Sequence, residues 1–189
     1  MLIGFALATL IGCSLGILVG LSPRARAYLE PSLEFLRPLP VSAIIPVAIA
    51  LFGLTQGMAL FVIAFGAIWP MLLATVHGFA AVEPRLYEVA RSLHMSRLAV
   101  IFKIALPSAS PDIISGMRLS LTVALILSVV CEILAGLDGL GHWVLLSARS
   151  FRSADLFAGV ILLGVIGYVT ALAMSMVEQR LLRWRSSGH

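Results

Sequence analysis

The sequence predicts an all-α integral membrane protein of about five transmembrane helices, with a charged pair of short cytoplasmic helices between spans three and four. Three observations predict it. Hydrophobic residues make up 60% of the chain, and mean hydropathy is +1.07. Only 12% of residues are charged, about half the share that soluble domains carry. The charges cluster between apolar runs, and the densest cluster, Glu88–Pro107, is too polar to cross a bilayer. With 189 residues the chain forms one transmembrane domain, residues 1–189, without a second soluble module.

A helix needs about 20 apolar residues to cross the hydrocarbon. Leu2–Leu21 supplies the first span. No basic residue precedes it, unlike a secretory signal, and the loosely cleavage-like Ala25-Arg26-Ala27 lies in a basic cluster, so it reads as a retained helix. The second span, Val41–Leu54, is short and contains Pro46; it is extended by the amphipathic LEFLRPLP before it, or it is tilted or broken. Met58–Phe79, Asp112–Leu134 and Leu156–Glu178 are the third, fourth and fifth. In the first span Gly4, Ala8, Gly12, Gly16 and Gly20 recur at every fourth residue, which lays a smooth strip along one helix face and predicts close helix packing. Whether the partner helix belongs to the same chain stays open.

Basic residues set orientation, because cytoplasmic loops are enriched in Lys and Arg. Eleven of the 13 fall on one side: Arg24, Arg26 and Arg37 after span one, Arg85, Arg91, Arg97, Lys103 and Arg118 around the central cluster, and Arg180, Arg183 and Arg185 after span five. Only Arg149 and Arg152 fall on the other. The C-terminus and the Glu88–Pro107 stretch are therefore expected in the cytoplasm and the N-terminus outside. The net charge of +4 follows from this topology, not from nucleic-acid binding. Cys13 and Cys131 lie in apolar runs and read as small core residues. No His/Cys/Asp/Glu group has metal-ligand spacing, and no nucleophile–base arrangement points to catalysis.

Within the charged stretch, Pro84 is placed at a first helical position, where no backbone N–H is needed. Leu86, Val89, Ala90 and Leu93 share one face. The helix is expected to stop around His94-Met95-Ser96. Ser96 then caps a second short helix carrying Leu98, Ile101, Phe102 and Ala105, and Pro107 ends it. Ser110-Pro111-Asp112 reads as the start of span four. Part of the two helices' apolar surface needs a protein partner or the cytoplasmic ends of the spans.

These residues resemble the cytoplasmic motif E-A-A-x3-G-x9-I-x-L-P of permease subunits of bacterial ABC importers. Glu88-Val89-Ala90, three residues, His94, nine residues and Ile104-Ala105-Leu106-Pro107 reproduce its spacing, with Val89 in place of an Ala and His94 in place of the Gly. The stretches LEPSLEFLRPLPVSAIIPVAIALFG, EPRLYEVARSLHMSR and LILSVVCEILAGLDGLGHWV resemble the nitrate, sulfonate and taurine group of these permeases, over nearly the whole chain from Gly4. Members of that group usually carry one further N-terminal span, which this chain is expected to lack. The resemblance implies a type I permease core in the bacterial inner membrane. Its coupling helices dock on a separate ATP-binding cassette ATPase, an extracytoplasmic solute-binding protein delivers a small anion, and a second permease copy, identical or not, completes the path among membrane lipid. ATP and Mg would sit on the ATPase and no cofactor on this chain, which has no G-x-x-x-x-G-K-[ST] loop and a single lysine, Lys103. The motif's Gly position falls at a turn expected to be left-handed, which His tolerates better than most residues. Two other readings remain: a self-contained secondary transporter or channel, which would carry several midplane charges, and a truncated, non-transporting permease remnant.

Five more residues stand out. Glu132 is an intramembrane acid near the outer end of span four: a residue of the translocation path or gate, or a structural acid bonded to the loop Ala135–Gly141. Arg118 either snorkels to the interface or pairs with an acid of the coupling region. His77 marks the end of span three, and His142 with Trp143 reads as an outer interfacial belt. The tail Leu181-Leu182-Arg183-Trp184-Arg185 reads as a cytoplasmic anchor.

Overall fold

The computed structural model describes residues 1–36 and 40–182. Arg37, Arg183 and Arg185, and with them most of the predicted tail anchor, lie outside the described residues. In chain order the elements are α1 (Leu2–Gly20), α2 (Pro23–Leu36), α3 (Val41–Phe52), α4 (Gln56–Ala80), α5 (Pro84–Ser92), α6 (Arg97–Val100), a π turn (Ile101–Ala105), α7 (Leu106–Ala135), α8 (Leu140–Arg149) and α9 (Ser153–Leu181). No strand occurs among the described residues.

Four helical stretches are long and apolar enough to cross a membrane: Leu2–Gly20, Gln56–Ala80, Arg97–Ala135 and Ser153–Leu181. They match predicted spans one, three, four and five. The predicted second span is α3, an apolar helix of 12 residues. At 1.5 Å per residue it covers about 18 Å, short of the ~30 Å hydrocarbon. Gly53 ends it at φ +67. Thr55 then caps α4, its hydroxyl accepting from the Met58 N–H at 3.3 Å. Phe52 at the end of α3 rests on Phe61 of α4, centroids 5.3 Å apart, at the head of a row of rings along α4 in which Phe61–Phe65 and Phe65–Trp69 are 6.1 and 5.8 Å apart.

α4 is the central helix, with α1 packed on one side and α7 on another. The small-residue strip of α1 meets a strip of the same spacing on α4, namely Ile63, Ala67, Met71, Thr75 and Phe79, all buried. A methyl built on Gly4, Gly12, Gly16 or Gly20 would stand 2.7 Å from Ile63 Cγ2, 3.0 Å from Met71 Cβ, 2.5 Å from Thr75 Cβ or 2.7 Å from Phe79 Cβ. The partner that the sequence left open is therefore α4 of the same chain. Towards α7, a methyl on Gly78 would lie 2.9 Å from the Ala109 carbonyl oxygen, and one on Gly116 would run into Ala74. Between these contacts the buried Ser120 hydroxyl donates to the Ala67 carbonyl at 2.6 Å. α9 stands apart: 6% of its apolar window is buried, so most of its surface is left for lipid or another chain.

Two expectations change. Pro107 does not end a helix, and Ser110-Pro111 does not start one: the chain is helical from Arg97 to Ala135. The π turn explains this. The Leu106 N–H reaches back five residues to the Ile101 carbonyl, and this wider turn shifts the backbone register where Pro107 lacks a donor and its ring would crowd the preceding turn. The Ser110 hydroxyl accordingly donates backwards, to the Pro107 carbonyl at 2.8 Å. Two helices were also not anticipated. α2 has its signal in Ser22-Pro23: the Ser22 hydroxyl accepts from the Ala25 N–H at 3.2 Å. α8 has no such signal, since Gly139 at its cap position offers no side chain.

The α1–α4 contact predicts an asymmetry. Gly16→Leu drives a side chain into Thr75 and is expected to destabilise by about 1–3 kcal/mol, read as a lower melting temperature in detergent. Gly164→Leu, where an added Cβ meets nothing within 4 Å, is expected to leave it unchanged. Equal effects of the two would contradict the packing.

Candidate functional site

α5 begins with Pro84 in its first turn, and Glu83 precedes it. It ends in a hydrogen-bonded cap. Leu93 N–H donates to Val89 O, His94 N–H to Arg91 O and Met95 N–H to Ala90 O, each at 3.0 Å. That double closure requires a left-handed residue after the helix, a position usually held by Gly. Here it is His94, at φ +50. The left-handed turn expected at the motif's Gly position is thus present. An L-residue there costs roughly 1–2 kcal/mol, and His is among the residues found there more often than most. Ser96 opens α6, its hydroxyl accepting from the Ala99 N–H at 3.3 Å, as its position predicted.

The motif residues divide by face. Ala90 and Ala105 are buried, while Ile104, Leu106 and Pro107 are half-buried. Ala105 and Leu106 pack in a cluster with Phe79, Met71, Ala109 and Ile113. Phe79 also touches the Gly20 end of α1. The second half of the motif is therefore tied to both neighbouring helices. The outward face is apolar and uncovered: Leu86, Val89, Leu93, Leu98 and Phe102 are 38–68% exposed. Glu88 is exposed and lines a cleft of about 510 Å³ between α5 and the α1–α2 corner, with Arg26, Tyr87 and Arg91. Burial pushes the Tyr87 phenol up. Arg85 and Glu83 approach to 3.9 Å in the open, a contact of little energetic weight.

At the other end of the bundle, Glu132 has two partners. Ser128 Oγ donates to its Oε1 at 3.3 Å, and the Gly141 N–H donates to its Oε2 at 2.8 Å. Gly141 lies in the first turn of α8. The carboxylate therefore takes the capping role that Gly139 cannot fill, at the positive end of the helix. The same residue lines a cleft of about 370 Å³ with Gln56, Ser128, Leu137 and Asp138. Both readings of Glu132 thus have structural counterparts, the bond into the loop region being direct. Glu132 and the α5–α6 turn lie at opposite ends of α7 and form two separate sites.

The half-exposed Arg118 side chain places its Nη1 3.9 Å from Glu178 Oε2 on α9, an acid outside the charged turn. The pairing spans two helices 60 residues apart in sequence and leaves no local signal. His77 is exposed at the end of α4, Trp143 is 36% exposed, and the His142 Nδ1 is buried without a partner. No group of three His, Cys, Asp or Glu could hold a metal ion among the described residues.

The family model described as binding-protein-dependent transport system inner membrane component matches residues 8–183. SsuC of Bacillus subtilis (strain 168), named for aliphatic sulfonates transport, is 38% identical over 98% of this chain and 67% of its own length. CmpB of Synechococcus elongatus, a bicarbonate transport system permease protein, is 33% identical over 95% of this chain and 65% of its own. TauC of Escherichia coli (strain K12), a taurine transport system permease protein, is 32% identical over 94% and 64%. The chain thus spans about two thirds of the length of these relatives. A chain of the MetNI methionine ABC transporter in an inward-facing form has the same fold, with a TM-score of 0.78 at 16% identity, over 94% of this chain and 89% of that one.

The left-handed turn yields a prediction. His94→Gly is expected to stabilise the purified protein by about 1 kcal/mol, and His94→Val to destabilise it by at least as much. Thermal unfolding of the three proteins checks this; a Gly variant less stable than wild type would mean that the imidazole, not the backbone, sets the turn.

Proposed function

The chain belongs to the binding-protein-dependent transport system inner membrane component family, and from that premise we propose that it is the membrane-spanning subunit of an ATP-driven importer that takes its energy from a separate ATPase. The observation that carries this reading is the α5–α6 turn. It offers an uncovered apolar stripe, Leu86, Val89, Leu93, Leu98 and Phe102, on the side assigned to the cytoplasm by the basic residues. Water-exposed apolar patches of this kind mark protein contacts. The chain lacks a phosphate-binding loop of its own, so ATP and Mg belong to the protein that covers the stripe.

Mechanistically, ATP closes a pair of ATPase subunits and moves the docked α5–α6 turn. The buried cluster of Phe79, Ala105 and Leu106 hands that displacement to α4 and α7, which tilt against α1. The transporter shifts between inward- and outward-open populations because ATP binds one of them more tightly. A second permease copy, facing the helices that one chain leaves uncovered, completes the path. The relatives named above are called sulfonate, bicarbonate and taurine permeases, and the substrate proposed here is accordingly a small anion delivered by a solute-binding protein outside the inner membrane. For such a substrate Glu132 would repel rather than bind, which favours its structural part, the capping of α8.

The test is co-purification of an ATP-binding cassette ATPase with the tagged chain expressed in its native host. Leu93→Asp, Phe102→Asp and Glu88→Lys are each expected to lower ATPase recovery about tenfold, and Leu172→Asn on exposed α9 is not. Full recovery with both Asp variants would overturn the docking face; no recovery with wild type would overturn the importer reading itself.

A further inference from the structure

The tip between α8 and α9 carries a feature that packing does not account for. Phe151 adopts φ +53, a left-handed conformation that is a true outlier for a bulky residue. The cause is local: α8 closes with the Phe151 N–H on Ala148 O at 3.2 Å and the Arg152 N–H on Ser147 O at 2.9 Å, the same double closure that His94 makes on α5. Gly would satisfy it without strain. Yet the ring buries nothing in return, for Phe151 is 93% exposed. It is flanked by Arg149 and Arg152, the two basic residues on that side of the protein. Arg152 is paired with Asp155, whereas Arg149 makes no ion pair among the described residues.

The height of the tip separates lipid from protein as the occupant. Glu178, the first charge after the apolar run of α9, marks the inner end of the span. Hydrocarbon thickness takes about 20 residues from there, which brings the outer boundary to about Ala158. At that level Gly159 packs against α8: a methyl on it would lie 2.5 Å from Val144 Cγ2. Ser153 stands about 8 Å further out at 1.5 Å per residue, and Phe151 beyond it, roughly 10 Å past the acyl chains. An aromatic that anchors a helix in lipid sits at the headgroup level, which reaches about 5–7 Å past the acyl chains. This one stands clear of it.

We propose that Phe151, with Arg149 beside it, is a docking knob for the extracytoplasmic solute-binding protein, the ring entering an apolar socket and the guanidinium meeting an acidic rim. Aromatic and Arg residues are those that dominate such contacts. The inference rests on the importer reading and its orientation, and the experiment separates the two. The permease, reconstituted with its ATPase in lipid nanodiscs, is titrated with the purified solute-binding protein of the same host, for wild type, Phe151→Gly and Arg149→Gln. Gly relieves the backbone, so Phe151→Gly is expected to melt at or above the wild-type temperature while its affinity for the binding protein falls about tenfold or more. Arg149→Gln is expected to weaken binding in a way that high salt removes. A purely structural Phe151 predicts the opposite pairing, unchanged affinity with altered melting, and that result overturns the proposal. A photo-reactive phenylalanine at position 151 that crosslinks to lipid or a second permease copy, and not to the binding protein, overturns it as well. Wild type that binds no solute-binding protein overturns the importer reading along with it.

Discussion

Everything in this bundle depends on how closely helices can approach α4. Lipid tails are as apolar as leucine, so no hydrophobic driving force brings two helices together inside a bilayer, and contact packing has to supply the attraction. α4 obtains it on two sides. Towards α1 its large residues Ile63, Met71, Thr75 and Phe79 fill the places where Gly4, Gly12, Gly16 and Gly20 have no side chain. Towards α7 the roles are shared, with Gly78 on α4 and Gly116 on α7 each giving way to a neighbour, and the Ser120–Ala67 hydrogen bond of 2.6 Å joins the two helices. At such distances the three helices cannot slide independently. A force applied at one end of α4 is a force on all three.

That constraint gives the motif its mechanical meaning. Its second half is not a loop hanging below the spans but the opening turns of one helix from Arg97 to Ala135. Ala105 and Leu106 lock that helix to Phe79 at the foot of α4. The first half, α5, is joined to it through the left-handed residue His94. Under the proposed function the ATPase pushes on a rigid lever, with the compliance concentrated at His94 and at the π turn, the two places where the backbone leaves α-helical geometry. At the far end of α7, Glu132 holds the first turn of α8 and so ties the α8–α9 hairpin to that helix.

Much of this was legible in the sequence because it rests on local chemistry. Four of the five spans follow from hydropathy alone, the every-fourth-residue strip of α1 is visible by eye, and Ser96 reads as a cap because its hydroxyl serves the third residue on. What stayed hidden rests on distant or cancelling signals. The partner strip on α4 has the same spacing as that on α1, but in a helix apolar on all sides no polar contrast marks the face. Pro107 reads as a stop in water; here a π turn absorbs it, and membrane helices tolerate such breaks where neighbours satisfy the backbone. α8 has no capping side chain of its own, since its cap comes from Glu132 nine residues before Gly141. The Arg118–Glu178 pair joins residues that nothing local connects.

The central claim is that the α5–α6 turn faces the ATP-containing side of the membrane. Impermeant-maleimide labelling of sealed cells tests it most directly, with single cysteines at Ser92 and Ser150 in a background without Cys13 and Cys131. Both positions are exposed, unlike the buried Ser147 on the same hairpin. The account predicts that Ser150→Cys labels in intact cells and Ser92→Cys only after the membrane is opened. Labelling of Ser92→Cys in intact cells would put the turn on the wrong side for any ATPase and contradict the account.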